Sequence, residues 1–246
     1  MKAVGVIPAR YKSTRLEGKP LADIHGRPMV WHVYERAARA GSLGSVVVAT
    51  DDERIRSAVI ELGGRAMMTR ADHFSGTDRV AEVAESVAGE IFVNIQGDEP
   101  LIDPRMIDEC VEALVANPQA AMSTLMKCVP ESAYGDLSVV KVVCDLKGRA
   151  LYFSRSLIPF PRTRTARFRV FEHIGLYAYT RPGLATLAHL PPSPLEEIEG
   201  LEQLRALENG LAIQVAETRC DGQLVSVDTA QDLERVRQIL EREVVA

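Results

Sequence analysis

Two aspartates are the residues in this sequence best suited to chemistry. Asp98 lies in Asn94-Ile95-Gln96-Gly97-Asp98-Glu99-Pro100, at the C-terminal end of a strand expected over 91–95. Asp228 lies in Val225-Ser226-Val227-Asp228-Thr229, just ahead of a helical pattern. A carboxylate at a strand end beside a phosphate loop is placed to hold a hard cation. Mg2+ takes oxygen ligands, commonly one or two carboxylates together with substrate phosphates. Each aspartate also has an ordinary reading. Gly-Asp-x-Pro is good turn chemistry, and Asp228 or Thr229 reads by default as a helix N-cap.

The phosphate loop in question follows the uncharged run Ala3-Val4-Gly5-Val6-Ile7, which reads as a buried strand. Pro8 stops that strand because proline cannot donate to a sheet ladder. A polar loop with four cations follows, Arg10, Lys12, Arg15 and Lys19, and Gly18 and Pro20 bracket its end. The C-terminal end of a buried strand is where open α/β sheets bind ligands. Arginine offers a planar fork and lysine a compact charge, so the expected ligand carries several negative groups, such as a triphosphate. A solvated basic surface loop remains the alternative. The loop contains neither G-x-x-x-x-G-K-[ST] nor G-x-G-x-x-G.

Three further constellations could meet a ligand. Thr69-Arg70-Ala71-Asp72-His73 and Ser75-Gly76-Thr77-Asp78-Arg79 read on their own as a polar loop with a capping Thr at a helix start. Tyr152-Phe153-Ser154-Arg155 precedes a segment in which strand alternation puts His173, Gly175, Tyr177 and Tyr179 on one face. Arg155 suits a carboxylate, and His173 and Tyr177 suit hydroxyls, so together they fit a polyhydroxy acid. Glu202 and Gln203, in Leu201-Glu202-Gln203-Leu204-Arg205, read on their own as an exposed helix face.

The elements that must position these residues alternate. Strands are expected at 3–7, 45–50, 66–69 and 91–95, with helices at 28–40, from a cap at Asp51 or Asp52 to 62, at 77–87 and at 103–116 between and after them. Such alternation means βαβ units, a mostly parallel sheet and a Rossmann-like three-layer α/β core. The rhythm then changes. After a strand at 121–126, the runs 139–144 and 150–153 around Asp145-Leu146-Lys147-Gly148 read as a β-hairpin. A basic loop spans 159–169, and a strand follows at 174–179. Helices are expected at 182–190 and 195–209, a strand at 212–217 and a last helix at 229–243. The hairpin region, about 135–180, reads as an insertion into a single domain covering 1–246.

The loop Pro8 to Pro20, with Ala9-Arg10-Tyr11 and Ser13-Thr14-Arg15-Leu16, resembles the signature loop of sugar nucleotidyltransferases. Its specific form is similar to that of the 3-deoxy-manno-octulosonate (Kdo) cytidylyltransferases. Val93 to Pro100 matches that family's V-N-x-Q-G-D-E-P, and Val227-Asp228-Thr229 with Asp232-Leu233-Glu234-Arg235-Val236 matches its V-D-T and D-L-E-R-V run. Ser226 stands where the family more often has Gly, a departure that leaves Asp228 intact. The likeness runs through nearly the whole chain in order and is weakest at 161–169.

The resemblance implies a Rossmann-like nucleotidyltransferase fold and the reaction CTP plus Kdo giving CMP-Kdo and pyrophosphate, for lipopolysaccharide or capsule synthesis. It implies Mg2+ held by Asp98 and Asp228, and catalytic roles for these with Arg10, Arg15 and Lys19. CTP would meet Pro8, Ala9, Arg10, Arg15, Lys19, Thr69, Arg70, Ser75, Gly76, Thr77 and Gln96. The sugar acid would meet Gln96, Arg155, His173, Tyr177, Glu202 and Gln203. A homodimer is expected through 139–179. Close rivals are a cytidylyltransferase for 8-amino-Kdo or a sialic acid, and a nucleotide sensor without activity. A structural dimer module leaves the basic loop unexplained.

Composition sets bounds around these readings. The chain has 246 residues, 46% hydrophobic and 26% charged, ordinary values for a globular protein. Net charge is −5, which argues against general nucleic-acid binding and makes the cationic loop a local feature. The four cysteines form neither C-x-x-C pairs nor zinc spacings and suit a reducing cytosol. With no apolar leader and no run near the ~18 residues that cross a bilayer, a cytoplasmic location without membrane insertion is expected.

Overall fold

The uncharged opening run becomes the strand on which the first half is built. β1 (Ala3–Ala9) is buried along nearly its whole length. The computed structural model describes residues 2–12, 16–163, 168–222 and 224–245, so Arg15 and the stretch 164–167 of the expected basic loop lie outside the described residues. Two compact units divide the chain: Met1–Asp108 with Cys220–Ala246, and Glu109–Arg219.

In the first unit, β1 is followed by a short hairpin of β2 (Asp23–Ile24) and β3 (Arg27–Pro28). Then come α1 (Met29–Ala37), β4 (Leu43–Thr50), α2 (Glu53–Glu61), β5 (Ala66–Met68), α3 (Gly76–Ser86) and β6 (Ile91–Asn94). The strand order is β6-β1-β4-β5, and every pairing is parallel. The helices turn apolar stripes inward, as with Met29, Val30, Val33 and Ala37 on α1. Side chains cap the starts of α2 and α3. Asp52, one of the two expected caps, accepts from the Arg54 amide. α3 starts at Gly76, ahead of the expected Thr77, so Ser75 with Asp78 forms a capping box in place of the expected threonine cap. The chain winds from β1 outward through β4 to β5, then crosses to β6 on the other side of β1. The carboxyl ends of β1 and β6 therefore flank a topological switch point.

The boundary between the units falls within α4 (Pro104–Val115). The second unit holds β7 (Met122–Cys128), β8 (Lys141–Cys144), β9 (Ala150–Ser154), β10 (Phe171–Thr180), α5 (Arg181–His189), α6 (Pro194–Glu199), α7 (Gln203–Glu208) and β11 (Ile213–Glu217). β7 pairs in parallel with β11 and antiparallel with β10. The expected hairpin is β8 with β9. Its turn is fixed by the Asp145 carboxylate, which accepts from the Lys147 and Arg149 amides, and by Gly148 at φ +77°.

One expected element is corrected. The single helix over 195–209 is two short ones, because Gly200 adopts φ +64° and ends α6 in a left-handed cap. Arg205 on α7 reaches back to the Glu196 carboxylate on α6 and ties the pair together.

The chain returns to the first unit with α8 (Ala230–Val245). Leu233 and Val236 of α8 pack with Val225 and Val227, with Ile24 of β2, with Met29 of α1 and with Leu101. This cluster fixes the segment carrying Asp228. No helix among the described residues is long and apolar enough to cross a membrane.

Candidate active site

The loop that leaves β1 is closed at its base by its own backbone. The Gly18 amide donates to the Tyr11 carbonyl at 3.0 Å, and Gly18 takes φ +67°, a conformation open to glycine at little cost. The guanidinium of Arg54 lies 3.4 Å from the centroid of the Tyr11 ring and covers its face. Past Gly18, a 3-10 turn at Lys19–Leu21 brings Lys19 back toward the strand ends.

The loop after β6 approaches equally closely. A β-carbon on Gly97 would sit 2.6 Å from the Pro8 carbonyl oxygen, so only glycine allows this contact. Asp98 follows, and its carbonyl accepts from the Val227 amide at 2.9 Å. That bond joins the segment before α8 to the loop after β6 and places Asp228 beside Asp98. The Lys19 ammonium then lies 2.7 Å from Asp98 Oδ2 and 3.2 Å from Asp228 Oδ1. The default capping role for Asp228 is not what its side chain does. Asp232 accepts from the Thr229 amide and Thr229 Oγ1 accepts from the Asp232 amide, so these two cap α8. Ser226 donates to the buried Glu99 carboxylate at 3.2 Å, a use for the residue that departs from the expected glycine.

Between these strand ends is a cavity of about 390 Å³, lined by Pro8, Ala9, Arg10, Lys12, Lys19, Pro20, Met29, Gly76, Arg79, Gln96, Gly97 and Asp98. Among the described residues four cations and one carboxylate thus border the same space, a surface that selects for anions. Pro8, Ala9, Arg10, Lys19, Gly76, Gln96 and Asp98 from the expected site are all here, and Asp228 joins through Lys19.

Other expected residues of the nucleotide site are not in the cavity lining. Thr69 and Thr77 are buried, and Ser75 caps α3. Thr69 Oγ1 donates to the Thr50 carbonyl and accepts from Arg79. Arg70 is exposed, with its amide on Glu82 and its side chain near Asp72. Burial acts to raise the Glu82 carboxyl, but its bonds from His73 and the Arg70 amide prevail and leave it below the usual range.

Arg79 was not singled out by the sequence reading, nor Lys12 beyond its charge. Arg79 is 1% exposed, lines the cavity and pairs with Asp51 at 3.3 Å. Burial pushes its guanidinium down, against Asp51. The signal was its spacing: Arg79 shares the inner face of α3 with Val80, Val83 and Ala84, where a helical arginine needs a reason to be.

The remaining expected residues, Arg155, His173, Tyr177, Glu202 and Gln203, belong to the second unit. Arg155 donates from Nε to the Glu199 carbonyl and from one terminal nitrogen to the Leu137 carbonyl. His173 bonds Thr124 Oγ1 at 3.0 Å, and burial pushes its imidazole down to about 3. The Tyr177 ring lies 5.4 Å from that of His173 and 6.0 Å from that of Tyr179, so the three share one face of β10, as the alternation predicts. Burial, first, and then neighbouring Tyr179, Glu202 and Cys110 push the Tyr177 phenol well up. Gln203 is buried, and its Nε2 meets no acceptor among the described residues.

No cluster of three or more metal-ligating side chains occurs among the described residues. Among those residues the Asp98 and Asp228 carboxylates converge on the Lys19 ammonium, and oxygen donors of this kind suit a hard divalent ion completed by phosphate oxygens.

A parallel sheet with a cationic cavity at its switch point defines a nucleotide-binding α/β enzyme, and relatives narrow this. A family model described as cytidylyltransferase matches residues 4–214. A 3-deoxy-manno-octulosonate cytidylyltransferase of Solibacter usitatus is 53% identical over 245 residues, covering 99% of this chain and 96% of the relative. One of Geobacter sulfurreducens is 52% identical, covering 98% of this chain and all of the relative. A solved structure of CMP:2-keto-3-deoxy-manno-octonic acid synthetase complexed with CTP aligns with TM-score 0.94 at 46% identity, over 99% of this chain and 100% of that one. A cytidylyltransferase of Leptospira borgpetersenii, 18% identical with TM-score 0.65 over 98% of this chain and 87% of its own, shares the fold. The chain belongs to the 3-deoxy-manno-octulosonate cytidylyltransferase family.

Proposed function

We propose that this protein transfers the cytidylyl group of CTP to 3-deoxy-manno-octulosonate, with release of pyrophosphate. The observation that carries the reading is the cavity at the β1–β6 switch point, where Arg10, Lys12, Lys19 and Arg79 border the same space as Asp98. In the reaction the anomeric hydroxyl oxygen bonds to the α-phosphorus, the bond to pyrophosphate breaks, and the hydroxyl proton goes to solvent. Negative charge spreads over phosphate oxygens in the transition state, so positioning and electrostatics dominate catalysis.

Each group then has a task. Arg10, Arg15 and Lys19 hold the triphosphate and offset the developing charge. Pro8, Ala9, Gly76 and Gln96 shape the nucleotide site. Thr69, Arg70, Ser75 and Thr77 belong to the segment that reads the cytosine, Thr69 acting by fixing Arg79. Asp98 and Asp228 hold Mg2+, which when bound withdraws charge from phosphate oxygens and acidifies an adjacent hydroxyl. His173 and Tyr177, both neutral, offer hydroxyl partners to the sugar acid, and the unmatched Gln203 amide suits a sugar oxygen. Arg155 and Glu202 complete the sugar set. The protein works as a single catalytic domain and a homodimer in the cytoplasm, supplying activated sugar for lipopolysaccharide or capsule synthesis.

The test is pyrophosphate release from CTP, UTP, ATP or GTP with Kdo, 8-amino-Kdo or N-acetylneuraminate, with and without EDTA. Release with CTP and Kdo alone, abolished by EDTA, is the expected result. Release with another acid only would reassign the substrate, and no release with any pair despite CTP binding would favour a nucleotide sensor.

A further inference from the structure

We infer that Lys19 is the resident counter-ion of the two aspartates, and that the triphosphate makes metal binding nucleotide-dependent by drawing Lys19 away. The inference rests on the metal role proposed above for Asp98 and Asp228. Its ground is a cluster among the described residues, in which the Lys19 ammonium lies 2.7 Å from Asp98 and 3.2 Å from Asp228. Lys19 is also the most enclosed of the three, its side chain 14% exposed against 28% and 33% for the aspartates. The carboxylates face the same point because Val227 and Asp98 are bonded through the main chain. That bond does not involve the ammonium, so the pair stays in place when the cation between them changes.

Lys19 is built to move where the aspartates are not. Its backbone is held between Gly18 and the buried Pro20 in the 3-10 turn. Its four-carbon stem is flexible and its charge is a point rather than a fork. It borders the cavity shared with Arg10, Lys12 and Arg79, so a polyanion there offers the ammonium new partners a short swing away. A divalent cation and the ammonium compete for the same carboxylate oxygens. A ligand that removes the competitor raises the metal's affinity, and by linkage the metal raises that of the ligand by the same factor.

The experiment titrates the full chain with Mn2+ alone, reading free Mn2+ by electron paramagnetic resonance, without sugar acid and without turnover. Lys19→Met and Lys19→Gln are compared with the parent, each checked by thermal melting, and then again with CTP after correction for Mn2+ held by free CTP. The expected result is at least tenfold tighter Mn2+ binding by both variants than by the parent when nucleotide is absent. CTP should tighten Mn2+ binding to the parent by a larger factor than to either variant. Equal or weaker binding by both folded variants, with CTP still promoting Mn2+ binding to the parent, overturns the counter-ion role alone. Failure of the parent to bind Mn2+ even with CTP overturns the metal role beneath it as well.

Discussion

The amide of Val227 donates to the carbonyl oxygen of Asp98 at 2.9 Å, and through this bond the start of α8 is set beside the loop after β6. Asp228 thereby meets Lys19, while Asp232 takes the helix cap with Thr229. The two aspartates of one short stretch are separated by task, and substitution should separate them too. Thr229→Ala should lower stability by about 1 kcal/mol, the usual worth of a cap. Asp228→Asn should change it by less than about 0.5 kcal/mol. Urea unfolding monitored by circular dichroism measures both, and a larger loss from Asp228→Asn would return that residue to a structural role.

Gly97 offers a steric test. A methyl group there would lie 2.6 Å from the Pro8 carbonyl, which is backbone and cannot rotate away. Gly97→Ala should cost about 1–3 kcal/mol of stability, the range for overpacking, and weaken CTP binding measured by calorimetry. A variant as stable as the parent with unchanged affinity would show that the two loops separate freely.

Arg79 ties Thr69 on one side to Asp51 on the other from a nearly closed position. Removing one partner of a buried pair leaves the other uncompensated, so Arg79→Met should destabilise by about 3 kcal/mol. Arg79→Lys keeps the charge but not the fork and should recover only part of that loss. Full recovery by lysine, read from the urea midpoint, would mean that charge alone matters here.

His173 sets an acid limit. Its imidazole is pushed from the ordinary 6.5 to about 3 by burial, so between those values the unfolded chain binds a proton that the folded chain does not. The stability this contributes is fully present above about pH 6.5 and falls with pH toward 3, at a slope approaching about 1.4 kcal/mol per pH unit. His173→Gln should flatten the profile between pH 6 and 4 by roughly that slope. An unchanged slope would show that other groups govern acid unfolding.

Much of this fold was legible because local signals and burial agree. The Asp51-Asp52 pair announces α2, although the cap of α3 falls on Ser75 and not on the expected threonine. The uncharged strands 3–7 and 45–50 lie where a parallel sheet buries both faces. Gly200 was passed over because apolar spacing continues across it, and only its left-handed backbone shows that the helix ends. The β2–β3 hairpin is too short to leave a periodic pattern. No spacing rule links Asp98 to Asp228, since tertiary packing of α8 makes them neighbours. Their pairing was readable only from likeness to a family. Arg79 was hidden by habit, because arginine on a helix is usually solvent-facing, whereas here it lies inside.

The most direct measurement separates turnover from nucleotide binding in Asp98→Asn and Asp228→Asn. Steady-state pyrophosphate release gives kcat, and calorimetry with CTP gives the dissociation constant. If the two carboxylates act on the transition state, kcat falls by about a hundredfold or more while CTP affinity changes by less than about tenfold. Equal losses in both quantities would reduce the aspartates to a nucleotide-binding role, and unchanged turnover would remove them from the chemistry altogether.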